Sequence, residues 1–421
     1  MSGHRSISAE VAIIGAGPAG LACAQALKKA GLRDIVILER EAEAGGIPRH
    51  CGHTGYGLAE FSRLMTGPGY ARRLVDGVAG LDLRTKTTVL RLEPNGVLQI
   101  TDRDGPATLS ARAVLLALGA RETPRSARLL TGARPWGVMN TGMLQQMIYL
   151  QNRKPFERPV VIGTELVSFS TLLTLRHAGI KPVALIEPCH RITARRPADL
   201  ITRFCFRVPV LLNTKLHRIL GTERVEGIEI DRGNGIERID CDGVILTGQF
   251  RPETALVVPS HLALDGVVNE TGTGGPVIDQ FMRCSDPSYF AAGNLLRGIE
   301  TAGQCFREGR AAASNILETL RGNLPPAPAY IPVTHAEPVA YVYPQRIDPL
   351  GTTDQPLLFK FRAMRPARGR LQVSIDGKVV WSRCIQALPE RRLAWHLPAR
   401  LLTGAQNVHV EITGEKPSPA R

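Results

Sequence analysis

The chain has 421 residues, 43% of them hydrophobic and 21% charged, with a formal net charge of +14. That length exceeds one ordinary core and suits two or three domains, and the composition excludes a disordered or fibrous chain. Lys and Arg are scattered without a dense run or a nucleic-acid motif, so the basic balance points to anionic cofactors and substrates or an acidic partner, not to nucleic acid.

The N-terminal MSGHRSISAE leads into the apolar run VAIIGAG without a signal-peptide pattern. No apolar run approaches the roughly 20 residues that cross a bilayer, so a cytoplasmic protein without a membrane span is expected. Glu10–Ile14 reads as a buried parallel strand, residues 18–30 as a helix and residues 34–39 as a second strand. Between the first two lies Gly15-Ala16-Gly17-Pro18-Ala19-Gly20, a G-x-G-x-x-G turn. Gly15 permits the tight bend, Gly17 lets backbone approach a pyrophosphate, and Gly20 allows the helix to pack on the strand. The helix N-terminus aims N–H groups and its positive dipole end at the phosphates. Glu39 follows Gly20 by 19 residues, where a carboxylate accepts the ribose hydroxyls.

Further on, residues 87–101 read as a β-meander turning at Pro94-Asn95-Gly96, and AVLLALGA (113–120) as another buried strand. From about residue 124 the pattern restarts: strand 159–163, helix 167–178, strand 182–187. VILTG, SYFAAGN and a long helix over about 301–320 come next, then the Pro-rich linker LPPAPAYIP. The remainder alternates apolar with polar residues and carries a hairpin signal at Asp376-Gly377. The fold class is therefore α/β, with two Rossmann-like dinucleotide-binding domains and a small C-terminal antiparallel β domain. The expected boundaries are 1–123 and 244–323 for one dinucleotide domain, 124–243 for the one that interrupts it, and 333–421 for the β domain.

Four elements in order choose FAD over NAD for the first site. Gly45-Gly46-Ile47 supplies a second flexible turn, AVLLALGA resembles the strand that ends at the cofactor in FAD domains, Thr247-Gly248 opens a TGxxP-like re-entry, and SYFAAGN before a helix resembles the late GD motif. The candidate cofactor contacts are Gly15, Gly17, Pro18, Ala19 and Gly20 at the first turn, and Glu39, Arg40, Gly46 and Ile47 beyond the second strand. Val89, Ala117 and Gly119 join them from the middle of the domain, and Gly293, Asn294, Thr301 and Ala302 from the return segment. Asn294 stands where an Asp is usual but keeps an acceptor for a ribityl hydroxyl. In the second unit only Gly163 remains of three glycines, and Glu165 stands where a diphosphate should pass, so nicotinamide binding is expected to be weak or absent.

GGIPRHCGHTGYG (45–57), GARETPRSARLLTGARPWGVMNTGMLQQ (119–146), VVIGTELVSFSTLLTLRHAG (160–179) and AAGNLLRGIETAGQCFREGRAAA (291–313) resemble one group of disulfide-reductase-like flavoproteins. This group comprises the FAD-containing alpha subunits of opine oxidase, hydrogen cyanide synthase and hydroxyproline dehydrogenase. The resemblance covers about residues 8–322 and implies a subunit that passes electrons beside a second, amine-oxidising flavoprotein subunit. Those subunits usually end in a cysteine-rich [2Fe–2S] segment. Here the tail holds only Cys384, and none of the eight cysteines has zinc or iron–sulfur spacing, so no metal is expected.

The candidate chemistry lies in Arg49-His50-Cys51-Gly52-His53, expected near the flavin. His50 or His53 can move protons, and Cys51, flanked by Arg49 and two histidines, is a candidate for a depressed pKa. The alternative is that these residues only line the cofactor. Arg121-Glu122 reads as a local ion pair without a catalytic role. The leading expectation is an FAD-dependent oxidoreductase acting on an amine, amino acid or other small organic molecule. An NAD(P)H-dependent flavoprotein reductase and an FAD-binding non-catalytic scaffold are the alternatives.

Overall fold

The computed structural model describes residues 5–194, 205–266, 271–350 and 356–416. The chain divides into two compact units: residues 1–46, 71–120 and 252–420 form the first, residues 47–70 and 121–251 the second.

The first unit opens with strand β1 (Arg5–Ile14), helix α1 (Pro18–Lys29) and strand β2 (Ile35–Leu38). β1 runs parallel to β2, and its last four residues are all buried, as a central strand covered on both faces requires. Strands β3 (Asp82–Arg84), β4 (Thr88–Glu93), β5 (Val97–Asp102) and β6 (Gly105–Leu116) complete the order β3-β2-β1-β6-β5-β4. The hairpin between β4 and β5 turns at Pro94–Gly96, with Asn95 and Gly96 both at positive φ. From the return segment, strand β7 (Tyr289–Ala291) joins the C-terminal half of β6 in parallel register, Phe290 opposite Leu115.

Helix α2 (Ala302–Leu320) buries Cys305, Phe306, Gly309, Ala312, Ala313 and Ile316, a stripe at helical spacing. That stripe lies on α1. A Cβ at Gly309 would stand 2.0 Å from the Ala19 carbonyl oxygen, so the crossing needs glycine. α1 carries proline at its first turn and Lys28 and Lys29 in its last, which suits the helix dipole.

Also in the first unit, the C-terminal segment builds a five-stranded sheet containing Ile331–His335, Ala367–Ile375, Lys378–Ala387 and Val408–Lys416, and a three-stranded sheet of Val339–Tyr343, Leu357–Ala363 and Leu393–Leu397. Both contribute to one core, in which Phe359 stacks on Trp395 at 5.0 Å. The hairpin at Asp376-Gly377 forms as read from the sequence, but the sheet is not wholly antiparallel, because Ile331–His335 pairs in parallel with Val408–Lys416.

The second unit holds a parallel five-stranded sheet ordered Val138–Asn140, Gly243–Leu246, Pro159–Ile162, Leu185–Ile186, Val210–Leu211. Helix Leu166–His177 follows the turn after Ile162. The strand after this helix, Leu185–Ile186, is only two residues long, shorter than the expected 182–187. No described helix is long and apolar enough to cross a membrane.

Replacing Gly309 by Ala forces α1 and α2 apart against the gain in helix propensity. The expected outcome is a net loss of about 1–3 kcal/mol in urea unfolding of the apoprotein. An unchanged midpoint would show that the crossing relaxes freely.

Candidate functional site

At the head of β1 the chain turns sharply. Gly15 has φ +102, donates to the Leu38 carbonyl at 2.8 Å, and would bring a Cβ to 2.5 Å from the Ala117 oxygen. A Cβ on Gly20 would lie 2.0 Å from the Gly15 oxygen. Packing within the protein therefore demands both outer glycines. The middle one is different. Gly17 has φ −88, and the nearest atom to a Cβ there is the Gly46 Cα at 4.0 Å. The protein itself would accept a side chain, and the open space lies at the N-terminus of α1, where the first N–H groups have no partner within the helix. That vacancy fits a diphosphate approaching the backbone.

Glu39, buried at the end of β2, accepts from the Ala16 N–H at 3.0 Å and from the Glu41 N–H at 2.9 Å. One hydrogen bond thus falls on each carboxylate oxygen, and further lone pairs remain for ribose hydroxyls. Arg40 is exposed beside it, 4.0 Å from Glu41. The Gly45-Gly46 turn closes on the same place: the Gly45 N–H donates to the Ala16 oxygen at 2.8 Å, and Gly46 at φ +63 would bring a Cβ to 2.9 Å from the Gly17 Cα. Pro18 and Ala19 open α1. Ala117 pairs with Ile14 at 2.9 Å, Gly119 adopts φ +77, and Val89 packs half-buried against the core of this unit. Gly293, at φ +76, would meet the Ala19 Cβ at 2.9 Å if it carried its own.

Thr301 caps α2 by accepting from the Gln304 N–H at 3.3 Å, with Ala302 the first helical residue. Asn294 does more than stand in for an acid. Its Oδ1 accepts from the Glu300 N–H at 2.7 Å and its Nδ2 donates to the Glu300 oxygen at 3.2 Å, which closes the loop leading into that cap. One lone pair of Oδ1 is left for a ligand. These residues would hold FAD with its phosphates over Gly17 and its ribose at Glu39.

In the second unit the corresponding turn is closed by its own side chain. Gly163 has φ +113, and the Glu165 carboxylate lies where a Cβ on Gly163 or Gly248 would reach, at 2.5 and 2.4 Å. Thr247 and Ser168 donate to it at 3.0 and 3.3 Å. Burial raises the Glu165 pKa, with Glu187 adding to the rise, while Thr247 and Arg128 act against it. Arg128 clamps the facing loop by donating to the Thr247 and Gly248 oxygens at 2.9 and 2.8 Å. Glu187 matches Glu39, accepting from the Cys189 N–H two residues on and from the Thr164 hydroxyl.

His50, Cys51 and His53 belong to the second unit, as does Ile47, which is exposed. Cys51 and His53 are joined there through two residues that sequence reasoning passed over. The Cys51 thiol donates to Gln145 Oε1 at 3.4 Å, Gln145 Nε2 donates to Ser170 Oγ at 2.7 Å, and Ser170 Oγ lies 2.6 Å from His53 Nε2. With Nδ1–H of the neutral ring donating to the Thr54 oxygen at 2.9 Å, Nε2 accepts from Ser170 and every donor in the chain has an acceptor. His50 is not part of it. Burial and the neighbouring Arg49 lower its pKa to about 4, so its ring stays neutral near pH 7.

Cys51 corrects the sequence expectation. Its thiol is pushed up to about 11 by burial, with Glu122 adding to the rise, and the hydrogen bonds from Tyr56 and with Gln145 only partly offset this. The flanking positive residues are outweighed because the side chain is removed from water. Glu122 has surroundings the sequence did not signal. It is a buried carboxyl that accepts from the Gly142 N–H at 2.8 Å, and burial raises its pKa to about 7. Arg128 is the cation that lowers it, and Glu165 opposes that effect. A carboxyl poised near neutrality is suited to proton transfer. No local sequence pattern signals this, since the burial comes from the short helix Thr141–Gln145 folding over it.

The cradle in the first unit and the modified turn in the second define a two-dinucleotide-fold, flavin-dependent oxidoreductase. The chain belongs to the pyridine nucleotide-disulphide oxidoreductase family, whose model matches residues 9–309, and FAD is its cofactor. It is 28% identical over 336 residues to one of the subunits of the opine oxidase of Rhizobium meliloti, covering 73% of this chain and 70% of that one. It is 27% identical over 361 residues to the small chain of the NADPH glutamate synthase of Escherichia coli, covering 76% and 70%. The fold matches T. acidophilum thioredoxin reductase with a TM-score of 0.62 at 22% identity, over 74% of this chain and 98% of that one. The resemblance to opine oxidase read from the sequence therefore holds.

Two outcomes test the site. Gly17→Ser adds an N-cap hydroxyl, so the apoprotein should melt no lower than wild type. Its side chain fills the vacancy, and FAD affinity should fall at least roughly tenfold in a flavin titration. Undiminished affinity would place the diphosphate elsewhere. For Glu122, the folded state holds a proton that the unfolded state releases near its ordinary value of about 4.3. Wild-type stability therefore declines as pH rises from there through about 7, by on the order of 3 kcal/mol in total. Glu122→Gln lacks this decline, so its urea-unfolding free energy should gain on wild type between pH 5 and pH 8. A constant difference would mean that the carboxyl titrates normally.

Proposed function

We propose that this chain is the FAD-holding subunit of an oxidoreductase that oxidises a secondary amine or amino acid and works beside a second flavoprotein subunit. The reading rests on the Glu165 carboxylate lying over Gly163 and Gly248, at the strand-to-helix turn that carries the diphosphate in dinucleotide-binding folds of this kind. A side chain filling that turn takes the space a diphosphate needs, and its ionised form also repels one. Electrons then have to come from a source other than NAD(P)H. The similarity to the opine oxidase of Rhizobium meliloti supports an amine, since opines are secondary amines bearing carboxylates.

When bound, FAD supplies a two-electron acceptor for hydride. The protein's own part is proton handling. Oxidation of an amine needs the ammonium form to lose a proton first, and within the second unit Glu122 is a buried carboxyl able to take up a proton near neutral pH. The hydrogen-bonded chain from Cys51 through Gln145 and Ser170 to the half-buried ring of His53 fixes the orientation of these side chains. Cys51 serves as an uncharged member of that chain, and a thiolate nucleophile is not required.

The similarity to the small chain of an NADPH glutamate synthase favours a second reading, an NADPH-dependent flavoprotein reductase. An anaerobic titration separates the two. NADH and NADPH should leave the flavin band of the purified yellow protein intact while dithionite bleaches it. Stoichiometric bleaching by either nucleotide within seconds would overturn the amine reading and establish the reductase.

A further inference from the structure

The strand Leu357–Ala363 alternates in a way that normally marks one core face and one solvent face. Leu357, Phe359, Phe361 and Ala363 are buried in the core of the C-terminal β module, and Lys360 and Arg362 point to the other side. That side is not open to water. Lys360 donates to Glu308 Oε1 at 3.1 Å, and Arg362 donates to the Ile299 oxygen at 2.9 Å and lies 3.6 Å from Glu300. Arg392, just before the neighbouring strand, pairs with Glu300 at 2.8 Å. All three basic residues thus engage the segment from Gly293 to Glu308, which carries Asn294 and the Thr301 cap.

The segment is tied internally to the same acids. Arg297, fully buried, donates to the Gly293 oxygen at 3.0 Å and to both Glu308 oxygens at 2.9 and 2.6 Å. Gln304 donates to Glu308 Oε1 at 2.9 Å, and the Asn294 side chain holds both backbone groups of Glu300. Burial alone would raise the Glu308 pKa, yet Arg297 and Lys360 bring it below the ordinary carboxylate range, so it is held ionised as the hub. Two carboxylates are met by four cations, and the loop between them cannot shift without breaking several charge-assisted hydrogen bonds.

We infer that the C-terminal β module is a cofactor clamp: Lys360, Arg362 and Arg392 act as positioning residues that hold the Gly293–Ala302 loop in its FAD-binding conformation. The clamp stabilises the bound cofactor by removing the cost of ordering the loop when FAD enters. It rests on the assignment of Asn294 and Thr301 to the FAD site and is independent of the amine reading.

The test uses the full-length holoprotein and its R392A, R392K, R362A, E300Q and R392A/E300Q variants. FAD release is followed by flavin fluorescence on dilution, bound flavin by visible circular dichroism, and the apoprotein by thermal melting. R392A and R362A should each speed FAD release about tenfold, the scale of one lost charge-assisted hydrogen bond, and change the visible dichroism. R392A/E300Q should release FAD no faster than the worse single variant, because both remove the same contact. R392K should restore most of the retention. Release within twofold of wild type in all variants, additive effects in the double variant, or unchanged dichroism with losses that only track a lower apoprotein melting point would each overturn the clamp.

Discussion

The first unit is organised by backbone touching backbone. Gly15 brings the end of β1 against the Ala117 carbonyl, Gly20 brings α1 back onto Gly15, and Gly309 lets α2 lie on the Ala19 carbonyl. Side chains at these three points would push the strands and helices apart by more than the core could absorb. Everything at the cofactor cradle follows from that approach, including the position of Glu39, the closure of the Gly45-Gly46 turn and the placement of the Thr301 cap. Gly17 stands apart within this set, since no atom of the protein requires it. Its vacancy is the part of the turn that a ligand explains.

The second unit repeats the plan and changes its use. Glu39 and Glu187 are held alike, each accepting from the N–H two residues on and from the preceding turn. The difference lies in the turn itself. In the first unit the space over the middle position is open, and in the second a carboxylate, two hydroxyls and the Arg128-held loop fill it. Burial of Glu165 and Glu122 in that region raises both carboxyl pKa values, and Arg128 only partly offsets the rise. A dinucleotide-type fold can thus keep its strands and helices while its turn is filled by its own side chains.

The C-terminal β module shows how a polar strand face misleads. Lys360 and Arg362 alternate with core residues as any half-exposed strand would, and only tertiary packing reveals that they meet Glu308 and Glu300. The shared core of the first unit includes Tyr341 and Tyr343 from this module together with residues of the FAD-type sheet, so the module is continuous with the cofactor domain.

The sequence by itself determined the fold class, the order of the elements and the first dinucleotide turn. These rest on short-range rules: glycine spacing, strand periodicity, a proline at the helix start and an acid at a strand end. It also exposed the loss of glycines around Glu165. It misjudged the pKa of Cys51 and carried no sign of that of Glu122, because the charge of a side chain depends on how far it is removed from water and which groups face it. Those surroundings come from Gln145, Gly142 and Arg128, distant in the chain from Cys51 and brought together only by the tertiary structure. The route from Cys51 to His53 and the pairing of the C-terminal cations were invisible for the same reason. Local sequence encodes backbone geometry, while burial and charge pairing are properties of the packed chain.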